Sequence, residues 1–487
     1  MAIAPEARVG TLRSGLVIGG ELIEHTAAGS MAHVNPATGK VQKEFAVASA
    51  ADVDAAVTAA RAALAEWRRW SPDARRDVLL KLADLLKDYA AEFGVISTLE
   101  AGHLYSEYDA RYVADWVRYY AGWADKISGE SIRAYPATGL DYSIPEPVGV
   151  AAIYVASNGP IGFCGMSGAP ALAAGCTIVY KSPELAPFSP VLFAQVCQQA
   201  GIPAGVVNVV TGGPEVGDAL ARHPGVSKIV FTGSVATAKK LQAAAAESVT
   251  PLLLELGGKS ANIVFPDADL TRSCLQAARF TGNAGQGCTL PTRLLVHEDV
   301  YDQVVEGVLG HVSTLTAGDP FDPKTTLGPI ISEASLNRIQ GLVDRAVSSG
   351  AATLLTGGYR LGGELAGGYF YAPTILGDVD PYAEIAQHEI FGPVLCVTRF
   401  SSEEEAVKIA NATQFGLAAY VQTSDMARAQ RMIAALESGS VHINGSGPGP
   451  VSPSAPFGGV KQSGYGRQGG VSGIREFLSV KNVLINV

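Results

Sequence analysis

From residue 148 onward, short apolar and β-branched runs alternate with stretches whose apolar positions recur every three to four residues. Gly149–Val155, Thr177–Lys181, Val206–Val210, Lys228–Phe231 and Leu252–Leu256 are almost wholly apolar, the pattern of strands covered on both faces. Helical spacing fills the intervals at Ala169–Ala174, Val191–Ala200, Glu215–Arg222 and Ala238–Ala246. This rhythm predicts a parallel, doubly wound sheet. A second run follows Ala261, with strands at Arg293–His297, Thr353–Leu355, Val394–Arg399, Ala418–Gln422 and Val441–Asn444 and helices at Tyr301–Leu315, Ser402–Asn411 and Met426–Leu436. Upstream, Ala51–Arg69, Pro72–Ala90 and Glu107–Lys126 carry helical spacing, Ser131–Ile144 reads as an exposed hairpin, and Leu478–Val487 as a terminal strand. The expected fold is α/β, with two doubly wound parallel-sheet domains and a small hairpin and strand element. Residues 1–126 and 147–256 make the first domain, 257–455 the second, and 127–146 with 471–487 the small element.

Composition narrows the class. Hydrophobic residues make up 47% and charged residues 17%, with 55 Gly and 27 Pro, which excludes disorder for most of the 487 residues. Thirty-six basic against 46 acidic residues give a net charge of -10, which repels phosphate backbones and anionic lipid, so neither a nucleic acid nor a membrane is an expected partner. Val148–Tyr180 contains no charged side chain, but its Gly and Pro residues suit a buried strand, loop, helix and strand better than a membrane span. The six cysteines, at 164, 176, 197, 274, 288 and 396, form no C-x-x-C pair and read as reduced thiols. With no signal peptide visible in Met1–Gly20, the expected location is the cytoplasm.

Open α/β sheets bind ligands at the carboxyl ends of their strands, which directs attention to the loops after Val155, Lys181, Val210, Phe231 and Leu256. Gly464-Tyr-Gly466-Arg-Gln-Gly469 matches a dinucleotide fingerprint but lacks the strand before it and the length after it. Gly258-Lys259-Ser260 ends like a phosphate loop, yet Leu253 stands at the first glycine position. No metal-ligand spacing is found, so no metal is expected. Four stretches remain. Asn158 follows a strand, where its amide can donate to a developing oxyanion or merely turn the chain. Lys181 and Glu184 put a cation and an acid at the next strand end, or a solvated loop. Phe231-Thr-Gly233-Ser234 opens a helix suited to a pyrophosphate, or carries an ordinary Ser cap. Glu255, in Leu254-Glu255-Leu-Gly-Gly-Lys259, is a candidate general base, and Cys288 sits in Asn283-Ala-Gly-Gln286-Gly-Cys288-Thr, where Gly285 and Gly287 leave a thiol approachable.

Taken in order, these residues resemble the aldehyde dehydrogenase superfamily. The resemblance runs from Asn35-Pro-Ala-Thr-Gly39 through Arg118–Asp125, Glu255–Asn262, Gly285–Cys288, Glu389-Ile-Phe-Gly-Pro-Val394 and Pro456–Gly464, nearly the whole chain. It implies an NAD-binding role for the first domain, a catalytic role for the second, and self-association through the third element into a homodimer or homotetramer. Cys288 is then the nucleophile, Glu255 the base, Asn158 the oxyanion donor beside the Cys288 N–H, and Lys181 a further residue of the catalytic set. Val155, Ala156, Ser157, Lys181, Glu184, Gly213, Gly217, Phe231, Gly233, Ser234, Leu256, Glu389 and Phe391 match cofactor positions, for NAD with NADP weaker. Tyr112, Trp116, Gly159, Phe163, Met166, Thr289 and Gly447–Ser454 match positions along the aldehyde tunnel; none of the first six is charged, which points to an apolar or aromatic aldehyde.

The chain departs from the family pattern in places. The usual Pro-Trp-Asn-Phe-Pro is Ala156-Ser157-Asn158-Gly159-Pro160, a common Lys is Ser167, the usual Ala-Gly-Asn is Ala174-Gly175-Cys176, and Ala238 replaces a frequent Gly. A CoA-acylating relative and a catalytically silent NAD-binding relative are the alternatives; retention of Glu255, Asn158 and Cys288 together favours the hydrolytic enzyme. A cysteine hydrolase pairing Cys288 with a His has no recognisable partner motif among the eight histidines.

Overall fold

The computed structural model describes residues 5–133, 135–136, 138–445 and 451–486, so part of the expected tunnel segment Gly447–Ser454 lies outside the described residues. Five parallel strands form the centre of an eight-stranded sheet, in the spatial order Val207–Thr211, Thr177–Ser182, Val150–Tyr154, Lys228–Gly233, Leu252–Leu256. Antiparallel strands close both edges, Leu16–Ile18 with Glu21–Ile23 on one side and Gly464–Tyr465 on the other. Apolar layers cover both faces of this sheet, one containing Trp67, Trp116, Tyr180, Phe188 and Phe193, the other Val53, Val57, Val216 and Leu220. That double covering is why the strands read as continuous apolar runs.

The chain builds outward from Val150–Tyr154 in one direction, then crosses back to place Lys228–Gly233 on its other side. Strand order therefore reverses at Val150–Tyr154, which opens a crevice at the carboxyl ends. The register brings those ends level: Tyr154 lies opposite Lys181 and Phe231, Thr232 opposite Glu255, and Gly233 opposite Leu256.

The second sheet has seven strands, ordered Thr353–Thr356, Thr374–Gly377, Val394–Phe400, Arg293–His297, Ala261–Val264, Ala418–Gln422, Ser440–Ile443, parallel except for the first pair. Its interior strand Ala261–Val264 was not anticipated from the pattern, because four residues after a Gly-Gly turn carry too little periodicity to declare a strand. The helices Ala90–Ala101 and Glu333–Ser348 were likewise missed, the first because it is apolar on every side. The helix Pro160–Ala174 begins nine residues before the expected Ala169; its early turns hold Pro160, Gly162, Gly165 and Gly168, poor helix formers that tertiary burial overrides.

One expectation is corrected. Leu478–Ile485 is not a free terminal strand: it pairs antiparallel along its length with Leu140–Pro147 of the same chain, and Ser131–Ile132 completes a three-stranded sheet. The hairpin and the terminal strand thus satisfy each other, leaving Leu478–Ile485 as the long outer edge of this sheet, where Val480, Leu484 and Ile485 are exposed. No helix among the described residues is long and apolar enough to cross a membrane.

Candidate active site

The crevice is a cleft of about 740 Å³, within the range of small-molecule and cofactor sites. All thirteen residues matched to cofactor positions line it: Val155, Ala156, Ser157, Lys181, Glu184, Gly213, Gly217, Phe231, Gly233, Ser234, Leu256, Glu389 and Phe391. Asn158, Glu255 and Cys288 line the same cleft. Residues separated by more than 200 positions thus converge because two sheets present their loops to one space.

Cys288 is delivered by a loop with an unusual backbone. Asn283, Ala284 and Gly285 all adopt positive φ, at 49°, 51° and 77°, which turns the chain back before Cys288. Gly285 is required there twice over: its φ suits glycine, and a Cβ would lie 2.0 Å from the carbonyl carbon of Gly392. Gly258 is pressed equally hard, since its Cβ would meet the Cys288 carbonyl oxygen at 2.3 Å. Gln286 anchors the loop from within. Its amide nitrogen donates to Asn283 O and Pro329 O, at 3.1 and 3.2 Å, and its Oε1 accepts from Ile331 N at 2.8 Å. Asn158 Nδ2 donates to Gln286 O at 3.1 Å, so the expected oxyanion donor also ties its strand to the thiol loop, with one amide proton left over.

Burial dominates the electrostatics. It pushes the Cys288 thiol up to about 12, helped by the neighbouring carboxylates of Glu389 and Glu255. Glu255 is 3% exposed, and neither of its carboxylate oxygens has a hydrogen-bond partner among the described residues. Burial raises its carboxyl well above the ordinary range; Arg467 opposes that shift and Glu476 adds to it. Glu389 is pushed up to about 7 by burial, against a hydrogen bond of 2.9 Å from Gly258 N and the nearby Arg338 and Lys259 cations. A thiol and two acids therefore share one cleft in which each ionised form penalises the others.

At the far end, Lys181 Nζ meets Glu184 Oε2 at 3.1 Å, leaving the Glu184 side chain 39% exposed toward the cleft. Ser234 caps the helix Val235–Ala246 by accepting from Thr237 N at 3.2 Å. Phe391 holds φ 53°, a costly conformation for a bulky residue, and the segment before it is clamped by Arg338, whose guanidinium donates to Ile390 O at 2.7 Å. A carboxylate at the rim, a helix start in the middle and an unpartnered acid at the inner end fit a dinucleotide lying along the strand ends.

The expected tunnel residues are divided. Phe163 lines the cleft. Tyr112 is half-buried and donates to Val451 O at 2.9 Å, stacked against Tyr108. Gly159 precedes the helix Pro160–Ala174, where a Cβ would touch only Phe163. Thr289 is half-buried, its carbonyl accepting from Tyr420 Oη at 2.9 Å. Trp116 is fully buried and Met166 is 7% exposed; both pack in the core and neither lines the cleft.

Sequence reasoning missed Tyr154, Pro183, Leu185, Pro214, Asp218, Thr237, Lys240, Leu241 and Arg338, all of which line the cleft. Thr237 and Leu241 follow Ser234 at helical spacing, a signal that was there to be used. Arg338 had none, since its helix was unrecognised. Among the described residues no group of three or more His, Cys, Asp or Glu is placed to hold a metal.

Comparison with known proteins agrees with this geometry. The model of the aldehyde dehydrogenase family matches residues 23–483. A (Z)-2-((N-methylformamido)methylene)-5-hydroxybutyrolactone dehydrogenase of Acinetobacter baylyi is 41% identical over 463 residues, 93% of each chain. The mitochondrial succinate-semialdehyde dehydrogenase of Arabidopsis thaliana is 39% identical, over 98% of this chain and 90% of its own. Among solved structures, an aldehyde dehydrogenase of Bacillus cereus in complex with NAD+ is similar with a TM-score of 0.95 and 35% identity, covering 100% of this chain and 99% of that one. An NADP-dependent enzyme of E. coli is similar with a TM-score of 0.94 and 35% identity, over 98% and 99%.

Proposed function

The chain belongs to the aldehyde dehydrogenase family, as an enzyme that uses NAD, and from that premise we propose that it oxidises an apolar or aromatic aldehyde to its acid through a covalent intermediate on Cys288. The observation that carries the reading is the enclosure of Cys288, Asn158 and the unpartnered Glu255 in the cleft that Glu184 and Lys181 reach at its rim. When bound, the nicotinamide supplies the hydride acceptor. The rest is chemistry of this chain. Cys288 Sγ, its proton lost to solvent, forms a C–S bond to the aldehyde carbon while the carbonyl π pair moves onto oxygen. The free amide proton of Asn158 and the Cys288 N–H meet the oxyanion that this creates. Loss of hydride leaves a thioester, and Glu255 takes a proton from the water that cleaves it, returning the thiol and releasing the acid.

Further assignments belong to the same proposal. Residues 1–126 and 147–256 bind the cofactor, 257–455 carry catalysis, and 127–146 with 471–487 associate subunits through the open edge at Leu478–Ile485. The six free thiols suit a reducing compartment, the cytoplasm. The apolar ring of Phe163 in the cleft, with the uncharged Tyr112 and Gly159 beside it in the matched set, supports an apolar substrate.

The catalytic roles separate in two variants. Cys288→Ala abolishes oxidation while NAD binding persists, and retained turnover would remove the assignment. Glu255→Gln keeps acylation but slows deacylation by roughly 10²–10⁴-fold, giving a burst of reduced cofactor and then a stall. Because burial raises Glu255, its basic form fills only as pH rises; wild-type deacylation therefore climbs with pH, and that climb vanishes in Glu255→Gln.

Cofactor choice rests on Glu184. Its carboxylate accepts from ribose hydroxyls but repels a 2′-phosphate, an effect that Lys181 partly offsets. Preference for NAD over NADP is expected at about ten- to thirtyfold in kcat/KM, or one to two kcal/mol. Glu184→Gln improves NADP relative to NAD; an unchanged ratio in parallel assays rejects the role.

Substrate class and assembly have direct readouts. Across an aldehyde panel, affinity rises with apolar bulk, by about 0.8 kcal/mol per buried CH₂. Better turnover of succinic semialdehyde or betaine aldehyde than of an aromatic aldehyde would overturn the class. For assembly, light scattering should find a dimer or tetramer, and an active monodisperse monomer would contradict association through the strand edge.

A further inference from the structure

Behind the rim of the cleft lies a buried polar group that the reaction does not use. Glu100, at the end of the helix Ala90–Ala101, is fully buried. Its carboxylate accepts from Phe188 N at 2.7 Å, from Ser189 N at 3.2 Å and from Ser189 Oγ. These are the first residues of the helix Phe188–Ala200, which starts after Pro187 with no side-chain cap of its own and no acid in its first turn. Glu100 thus supplies, from 88 residues away, the carboxyl cap that the local sequence lacks.

His33 completes the arrangement. It is 3% exposed on the strand Ser30–Asn35. Asn35 Nδ2 donates to Gln42 Oε1 at 3.0 Å, which fixes the Gln42 amide so that its nitrogen donates to His33 Nδ1 at 2.9 Å. The imidazole proton is therefore on Nε2, which points at Leu185 O at 3.0 Å and Glu100 O at 3.2 Å. Ser182 Oγ donates to Pro187 O at 3.1 Å and closes the base of the turn. The residues between, Pro183, Glu184 and Leu185, line the cleft on their front face.

We propose that Glu100 and His33 are positioning residues for the cofactor: they hold the Pro183–Pro187 turn from behind, so that Glu184 and Leu185 meet the dinucleotide without first having to be ordered. This rests on the assignment of Glu184 to the cofactor. Neither residue lines the cleft, so their influence is on affinity and not on the chemical step.

The test is a split between KM and kcat. Glu100→Ala and His33→Ala should raise the KM and Kd for NAD about five- to thirtyfold, while kcat at saturating NAD does not fall. Glu100→Gln, which keeps one acceptor for Phe188 N, should recover part of the loss. In a double variant with Glu184→Gln the effects on NAD affinity should be less than additive, because both act through one turn. If the variants lower only the unfolding temperature and leave the Kd for NAD unchanged, the residues are merely structural and the proposal falls. If Glu100→Ala does not fold, Glu100→Gln and His33→Asn provide the same comparison. The two readings fail separately: an unchanged cofactor ratio in Glu184→Gln removes the role of Glu184, whereas an altered ratio there with unchanged affinity in the Glu100 and His33 variants removes only the positioning.

Discussion

Close approach of backbone to backbone around Cys288 is the constraint on which the rest of the site depends. The strand end that carries Glu255 runs into Gly258, which presses on the Cys288 carbonyl, while Gly285 presses on Gly392 just beyond Glu389. Segments from the two sheets are thereby locked at distances that no side chain allows. A thiol and two acids come to share one cleft because the main chain has already fixed where each one starts. A methyl group at either glycine would separate the pieces by more than a hydrogen bond can follow.

The same closeness sets the electrostatics. In water a thiol and two carboxylates would be mostly ionised or readily so; here burial raises all three. A cysteine held as a thiol is protected from stray electrophiles and oxidants, and an acid that holds its proton tightly is also one whose ionised form takes a proton strongly from water. The unpartnered state of Glu255 belongs to this logic. A structural carboxylate at 3% exposure would be saturated with donors, as Glu100 is, and would have no reason to move. Two buried glutamates in one chain thus show opposite designs, one satisfied and fixed, the other unsatisfied and available.

Much of this was legible from the residues. The five central strands of the first sheet announced themselves as apolar runs, and their carboxyl ends named the loops to search, because a parallel sheet with both faces covered leaves polar chemistry nowhere else to go. The reading failed where structure is imposed from a distance. Ala261–Val264 is a strand because its neighbours Arg293–His297 and Ala418–Gln422 hold it, and Leu478–Ile485 finds its partner more than 330 residues upstream. The cap from Glu100 and the bond from His33 leave no local signature either, since a lone Glu or His says nothing about a helix start that lies far along the chain.

The two ends of the cleft differ for this reason. Most of the residues matched to cofactor positions follow successive strand ends of the first sheet, so they can be counted along the sequence. Most of the residues matched to the aldehyde tunnel lie instead on or beside the helices Tyr108–Ala121 and Pro160–Ala174, and of these only Phe163 lines the cleft among the described residues. Which face of such a helix meets the cleft depends on how the helices pack, and a rotation of one residue exchanges a lining position for a core one. Trp116 illustrates the point: one turn along from Tyr112 on the same helix, it lies in the core against Tyr112 and Tyr120 and does not line the cleft. Packing between helices therefore decides which of the matched residues reach the cleft, and no pattern along the chain carries that information.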